Sequence, residues 1–188
     1  GQIFEGLSIW KDEKYRRLQG TRPVISLSCA NIKETDIDRT RKRIGQLIAE
    51  VYLDHYFLLD SERLLPQEKM IVQKNMEYPD PVTALNQLSR YLSKYYGKKV
   101  IILLDEYDTP MQEAYVGGFW EEMVSFTRSL FNAAFKTNPY LERAIMTGIT
   151  RVSKESVFSD LNNLMVVTTT SDAYADCFGF TEEEVWAA

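Results

Sequence analysis

Histidine occurs once in the 188 residues, at His55, and cysteine twice, at Cys29 and Cys177, far apart in the chain. That scarcity excludes Cys/His-rich zinc modules and disulfide-stapled miniproteins, and fits thiols kept reduced. His55 has Asp54 beside it but no second ligand in spacing, so a structural or solvated role is expected. No stretch reaches the roughly 18 consecutive apolar residues of a membrane span, and the N-terminus lacks a basic-then-apolar secretory pattern. A cytoplasmic chain without membrane contact is therefore expected. Positive charge is not in excess either: the net charge of −5 argues against a surface made basic throughout for nucleic acid. Gly-Lys-Ser and Gly-Lys-Thr are absent, and the one Gly-Lys, Gly97-Lys98, is followed by Lys99. What remains is an ordinary globular composition, 45% hydrophobic and 26% charged, long enough to bury a core without staples.

Val100-Ile101-Ile102-Leu103-Leu104 runs straight into Asp105-Glu106-Tyr107-Asp108-Thr109-Pro110. An unbroken Val/Ile/Leu run is the pattern of a parallel strand covered on both faces, and ligands in such sheets sit beyond the carboxyl ends of the strands. Asp105, Glu106 and Asp108 are expected at that rim. Neighbouring residues at a strand end diverge, so one carboxylate can face Mg²⁺ while the next faces a water. The phosphatase pattern Asp-x-Asp-x-Thr fails, because Asp105 and Asp108 are three apart. Tyr107 is expected to pack inward and shape the site.

The rest of the chain sets this strand in a βαβ rhythm. Val24 to Ala30 reads as a strand entered from Arg22-Pro23, and apolar residues at three- and four-residue steps from Asp36 to about Leu59 read as a helix. Arg39, Arg41, Lys42 and Arg43 load its early turns, a solvated face by the usual meaning of such clusters. Residues 61–78 predict one or two helices ended by Tyr78-Pro79-Asp80-Pro81. A further helix starts at Val82 and stops near Gly97, and Trp120 to Lys136 carries a strong helical stripe. Arg143 to Gly148 and Leu164 to Thr168 read as short strands. Thr181 and Glu184 have capping-box spacing at the start of a last helix. Trp10, Trp120 and Trp186 read as packing anchors.

Thr147-Gly148-Ile149-Thr150-Arg151-Val152-Ser153-Lys154 leaves the strand after the acids with hydroxyls and two cations. Emerging beside the acids, it can bring Thr147 or Arg151 to a terminal phosphate, for which the planar guanidinium fork is suited. An ordinary surface loop is the competing reading.

The residues from Leu104 to Asp108, those from Thr147 to Leu164, Phe178-Gly179-Phe180-Thr181-Glu182-Glu183-Glu184-Val185 and Phe4-Glu5-Gly6-Leu7-Ser8-Ile9 together resemble the AAA-ATPase-like family of P-loop proteins. The resemblance implies an α/β fold, a three-layer P-loop NTPase-like core of the ASCE type with a mainly parallel sheet. Its Walker B strand is expected over about 100–105, a sensor-like segment over 147–163 and the start of a C-terminal helical part over about 181–188. It implies ATP and Mg²⁺ as cofactors of the whole protein, with Asp105 as the metal-coordinating acid and Glu106 as the water-activating acid. Thr147 or Arg151 takes the place of a γ-phosphate sensor. Asp108 matches the family's run without an assigned role. Many members resemble fusions with a C-terminal nuclease-like domain, so such a domain or nucleic acid is the expected partner.

The family's phosphate-cradling loop normally precedes the Phe-Glu-Gly-Leu segment, and Gly1 lies just ahead of that segment. The expectation is therefore a partial domain, residues 1–188, lacking the first strand and the loop whose N–H groups and Lys grip the β- and γ-phosphates. Alone, it is expected neither to bind ATP tightly nor to turn it over. The absent strand is expected beside the Walker B strand, exposing an apolar edge there and favouring self-association. A non-catalytic interaction or regulatory module of ATPase-like shape is the alternative. A metal-dependent nuclease on the same acids is disfavoured, since no Glu-x-Lys lies on a strand after Asp105.

Overall fold

In a computed structural model, the structure describes residues 2–149, 158, 161, 164–175 and 179–187. Short helices α1 (Ser8–Lys11) and α2 (Glu13–Arg16) precede β1 (Val24–Ser28). Three helices, α3 (Ile37–Asp54), α4 (Pro66–Glu77) and α5 (Ala84–Tyr96), lead to β2 (Val100–Asp105). Helices α6 (Thr109–Gly117) and α7 (Trp120–Phe131) lead to β3 (Leu141–Met146), and α8 (Glu182–Ala187) comes last.

The three strands are parallel in the order β1-β2-β3. Parallel crossovers are right-handed, and two that advance in the same direction put their helices on the same face. The burial pattern agrees. Ile25 and Leu27 of β1 and Val100, Ile102 and Leu104 of β2 are buried, and they join residues of α3, α5 and α7 in one core. Each such side chain removed from water contributes about 1.5–3 kcal/mol before chain entropy is counted.

On the opposite face Val24, Ser26, Ser28, Arg143 and Ile145 are exposed, while Ile101 and Leu103 are only half-buried. The described residues thus build two layers, not the expected three. The apolar run of β2 is buried on alternate residues, because among the described residues the second face carries no comparable cover. β2 is also hydrogen-bonded on both sides, so no open edge lies beside it; among the described residues the outer edges belong to β1 and β3.

The helices follow their sequence signals. Asp36 caps α3 by accepting from the Arg39 N–H at 2.9 Å, and α5 stops at Gly97, whose φ of +66° is the left-handed conformation of a C′ glycine. Thr181 and Glu184 make the reciprocal capping-box bonds at the head of α8. The expected helix over 120–136 ends as α at Phe131 and finishes in a π-turn, Asn132–Lys136.

Residues 164–168, expected as a strand, form none. Met165, Val166 and Val167 are 65%, 44% and 40% exposed, and without a neighbouring strand an apolar run has no ladder to join. Trp186, expected as a packing anchor, is 81% exposed. No described helix is long and apolar enough to cross a membrane.

Candidate functional site

The carboxyl ends of β2 and β3 bring Asp105, Glu106 and Thr147 together. Parallel register sets this meeting: Leu104 lies opposite Met146, so the next residue of each strand emerges at the same level. The Thr147 N–H donates to the Leu104 carbonyl at 2.9 Å, and the Thr147 carbonyl accepts from the Tyr107 N–H at 3.1 Å. Between these bonds the Thr147 hydroxyl donates to Asp105 Oδ1, and it accepts from the Glu106 N–H at 3.4 Å. On the other side the Cys29 N–H donates to the Asp105 carbonyl at 2.9 Å. Asp105 is exposed at the strand end.

Glu106 has a φ of +49°, unusual for a residue with a Cβ. This turn ends β2, and the two adjacent carboxylates have different partners: Thr147 donates to Asp105, Thr109 to Glu106. The Glu106 Oε2 accepts from the Thr109 hydroxyl at 3.2 Å. Asp108, expected at the rim, is instead 1% exposed. Its Oδ2 accepts from the Gln112 amide at 2.8 Å, and a Cβ on Gly148 would stand 2.5 Å from its Oδ1. Asp108 therefore braces the loop after β3 from beneath. Tyr107 packs inward, edge-on to Phe158 at 5.4 Å and to Phe131 at 6.3 Å between ring centres.

Burial first, then the charges of Asp105, Asp108 and Glu106, push the Cys29 thiol from 9.0 up to about 12. A thiol so held stays protonated at neutral pH and is no nucleophile. Among the described residues no group of three or more His, Cys, Asp or Glu is placed to hold a metal ion.

Arg151 and most of the segment 147–163 lie outside the described residues. His55 lies away from the acids, with Gly20 to Val24 at the start of β1, in a cleft of about 290 Å³. Its Nδ1 is 2.7 Å from the Val51 carbonyl and its ring stands 5.9 Å from that of Phe57, the structural role expected of it. Two residues of the basic cluster on α3 are engaged: Arg39 pairs with Asp36 at 3.4 Å and Arg41 lies over the Phe126 ring of α7 at 5.4 Å. Sequence reasoning missed α6, and with it Thr109. The signal was Thr109-Pro110, since proline is favoured in the first helical turn.

A parallel α/β sheet whose central strand ends in two adjacent acids, met by a threonine just past the next strand, is the class that fold and site define. The chain belongs to the AAA-ATPase-like family: the model of that family, described as predicted AAA-ATPase, matches residues 1–158. Membership points to nucleotide binding. A curated relative, an uncharacterized protein in the vnfD 5′ region of Azotobacter chroococcum mcd 1, is 32% identical over 90 residues, covering 47% of this chain and 17% of its own length. The matched stretch thus spans under a fifth of that relative. No solved structure matches it.

Proposed function

We propose that this chain is the core of an ATP-binding and ATP-hydrolysing domain, Mg²⁺-dependent, whose turnover drives conformational change in a longer protein. The observation that carries the reading is the meeting of Asp105 and Glu106 with Thr147 at the end of the central strand, where the Thr147 hydroxyl donates to the Asp105 carboxylate and accepts the Glu106 N–H. Mg²⁺ is usually held by one or two carboxylates completed by waters and phosphate oxygens, so the single exposed carboxylate of Asp105 fits its donor set. Once held, the ion would neutralise charge on the β- and γ-phosphate oxygens.

The remaining work falls to the chain. Glu106 takes a proton from the attacking water, and Thr147 fixes the spacing between the two acids. Thr147 or Arg151 senses the γ-phosphate. A nuclease-like C-terminal domain of the same polypeptide, or a bound nucleic acid, is the proposed recipient of the motion. Because the 188 residues hold no Gly-Lys-Ser or Gly-Lys-Thr, this stretch alone is expected to grip Mg-ATP weakly. Calorimetry with Mg-ATP on this chain and on a form extended at its N-terminus tests that point. Glu106→Gln in the full-length protein tests the chemistry: turnover is expected to vanish while nucleotide binding persists, and full ATPase activity would remove Glu106 from its role.

A second reading, an interaction module of ATPase-like shape, is favoured by the outer edge of β3, where Ile145 is 52% exposed and Ile149, just beyond, 90%. Such edges accept another strand, including one from a second copy. Binding of Mg-ATP by neither form in the calorimetry would favour it.

A further inference from the structure

The backbone and the side chain of Glu106 are held in different ways. Its left-handed backbone is pinned from both sides: its N–H donates to the Thr147 hydroxyl, the next N–H donates to the Thr147 carbonyl, and its own carbonyl accepts from the Thr109 N–H at 3.2 Å. A strained conformation persists when its surroundings over-determine it in this way. The carboxylate, by contrast, has one hydrogen-bond donor among the described residues, the hydroxyl of Thr109, on Oε2 at 3.2 Å.

Thr109 is well placed to hold that carboxylate. It opens α6 and is followed by Pro110, which is buried and favoured in the first turn of a helix. Its β-branch stiffens χ1, so the hydroxyl is presented from a fixed point. With Oε2 tied down and no donor on Oε1 among the described residues, Oε1 is the oxygen placed to accept from a water. A general base must reach the proton it removes in a defined geometry, and a free Glu side chain has three torsions to lose before it does so.

We propose that Thr109 is a positioning residue for the hydrolytic reaction, its hydroxyl fixing the Glu106 carboxylate so that one oxygen faces the attacking water. This rests on the reading of Glu106 as the water-activating acid. Thr109 touches neither nucleotide nor metal in this account. It acts through Glu106 alone.

The test is steady-state ATPase kinetics of the full-length protein with Thr109→Val, Thr109→Ser and Glu106→Gln, each checked for an unchanged melting temperature. Loss of one hydrogen bond to a charged group predicts that Thr109→Val lowers kcat by about tenfold or more, with KM for ATP unchanged. Thr109→Ser, which keeps the donor, is expected to stay within about threefold of the parent, a flexible hydroxyl replacing a stiff one. A Thr109→Val protein with the parent's kcat, while Glu106→Gln is dead, overturns the proposal. So does a Thr109→Ser protein that falls as far as Thr109→Val, since the donor would then not be the cause. An active Glu106→Gln protein overturns the reading of Glu106 instead, and the two failures are told apart in one set of assays.

Discussion

The hydroxyl of Thr147, one residue past β3, donates to the carboxylate of Asp105, the last residue of β2. The same oxygen accepts the Glu106 N–H, so a single side chain holds both the Asp105 carboxylate and the Glu106 backbone. Thr147→Val keeps the shape and removes both bonds. ATPase turnover of the full-length protein is expected to fall by about 10- to 100-fold, from the loss of one charge-assisted and one weaker hydrogen bond. Thr147→Ser is expected to restore most of it. Equal activity of the Val variant and the parent would show that the strand ends hold the acids unaided.

Gly148 presents a problem of space rather than of backbone. A Cβ there would lie 2.5 Å from Asp108 Oδ1, 2.9 Å from its Cγ and 3.0 Å from Tyr107 Cε1. Asp108 is buried and bonded to Gln112, and Tyr107 is packed on Phe131 and Phe158, so neither can yield cheaply. Gly148→Ala is expected to destabilise the chain by about 1–3 kcal/mol, the usual cost of overpacking. Denaturant unfolding reads it as a lower midpoint at an unchanged slope. A midpoint equal to the parent's would show that the loop after β3 moves freely.

What the sequence disclosed and what it hid divide along physical lines. The strand at 100–105 and its two acids were legible because an apolar run and a carboxylate pair are local signals, and the caps at Asp36, Gly97 and Thr181 are local as well. The two-layer arrangement was not. The run Val100-Ile101-Ile102-Leu103-Leu104 carries the same letters whether one face or two are covered, and only strand order decides between them. Asp108 looked like its neighbours in sequence, yet it turns inward because α6 begins at the next residue and carries Gln112 over it. The extended apolar stretch at 164–168 lacked the one thing its letters cannot specify, a strand to pair with. Thr109 was hidden because its importance lies in what it bonds, three residues back.

Glu68 ties α4 to α5. Its Oε2 accepts from the Leu65 N–H at 2.8 Å and from Lys94 Nζ at 2.6 Å, while Oε1 takes Arg90 at 3.3 Å. Burial pushes the carboxyl up, but the bonds and charges of Lys94, Leu65 and Arg90 outweigh it and hold the carboxyl below 4.5. A carboxyl depressed in the folded state adds stability above its unfolded value and loses it as pH falls through the folded one. Glu68→Gln is thus expected to cost about 1–3 kcal/mol at pH 7 and progressively less as pH drops below 4.5. Urea unfolding of both proteins across that range checks it; a cost independent of pH would mean that the charge contributes nothing.

Cys29 governs the opposite end of the pH scale. Its thiol is pushed from 9.0 to about 12, first by burial and then by Asp105, Asp108 and Glu106. Below pH 9 it is protonated in both folded and unfolded chains, and its contribution does not vary. Between pH 9 and about 12 the unfolded chain gives up the proton and the folded chain keeps it, so stability falls as pH rises through that window. Each unit is worth about 1.4 kcal/mol, so about 2 kcal/mol is expected to be lost through this group by about pH 10.5. Cys29→Ala leaves a small cavity and is less stable at pH 8, yet it lacks this term. The gap between variant and parent is therefore expected to narrow from pH 8 to pH 10.5 in denaturant titrations. A gap that stays constant would place the thiol in contact with water, and with it the end of β1 that supports Asp105.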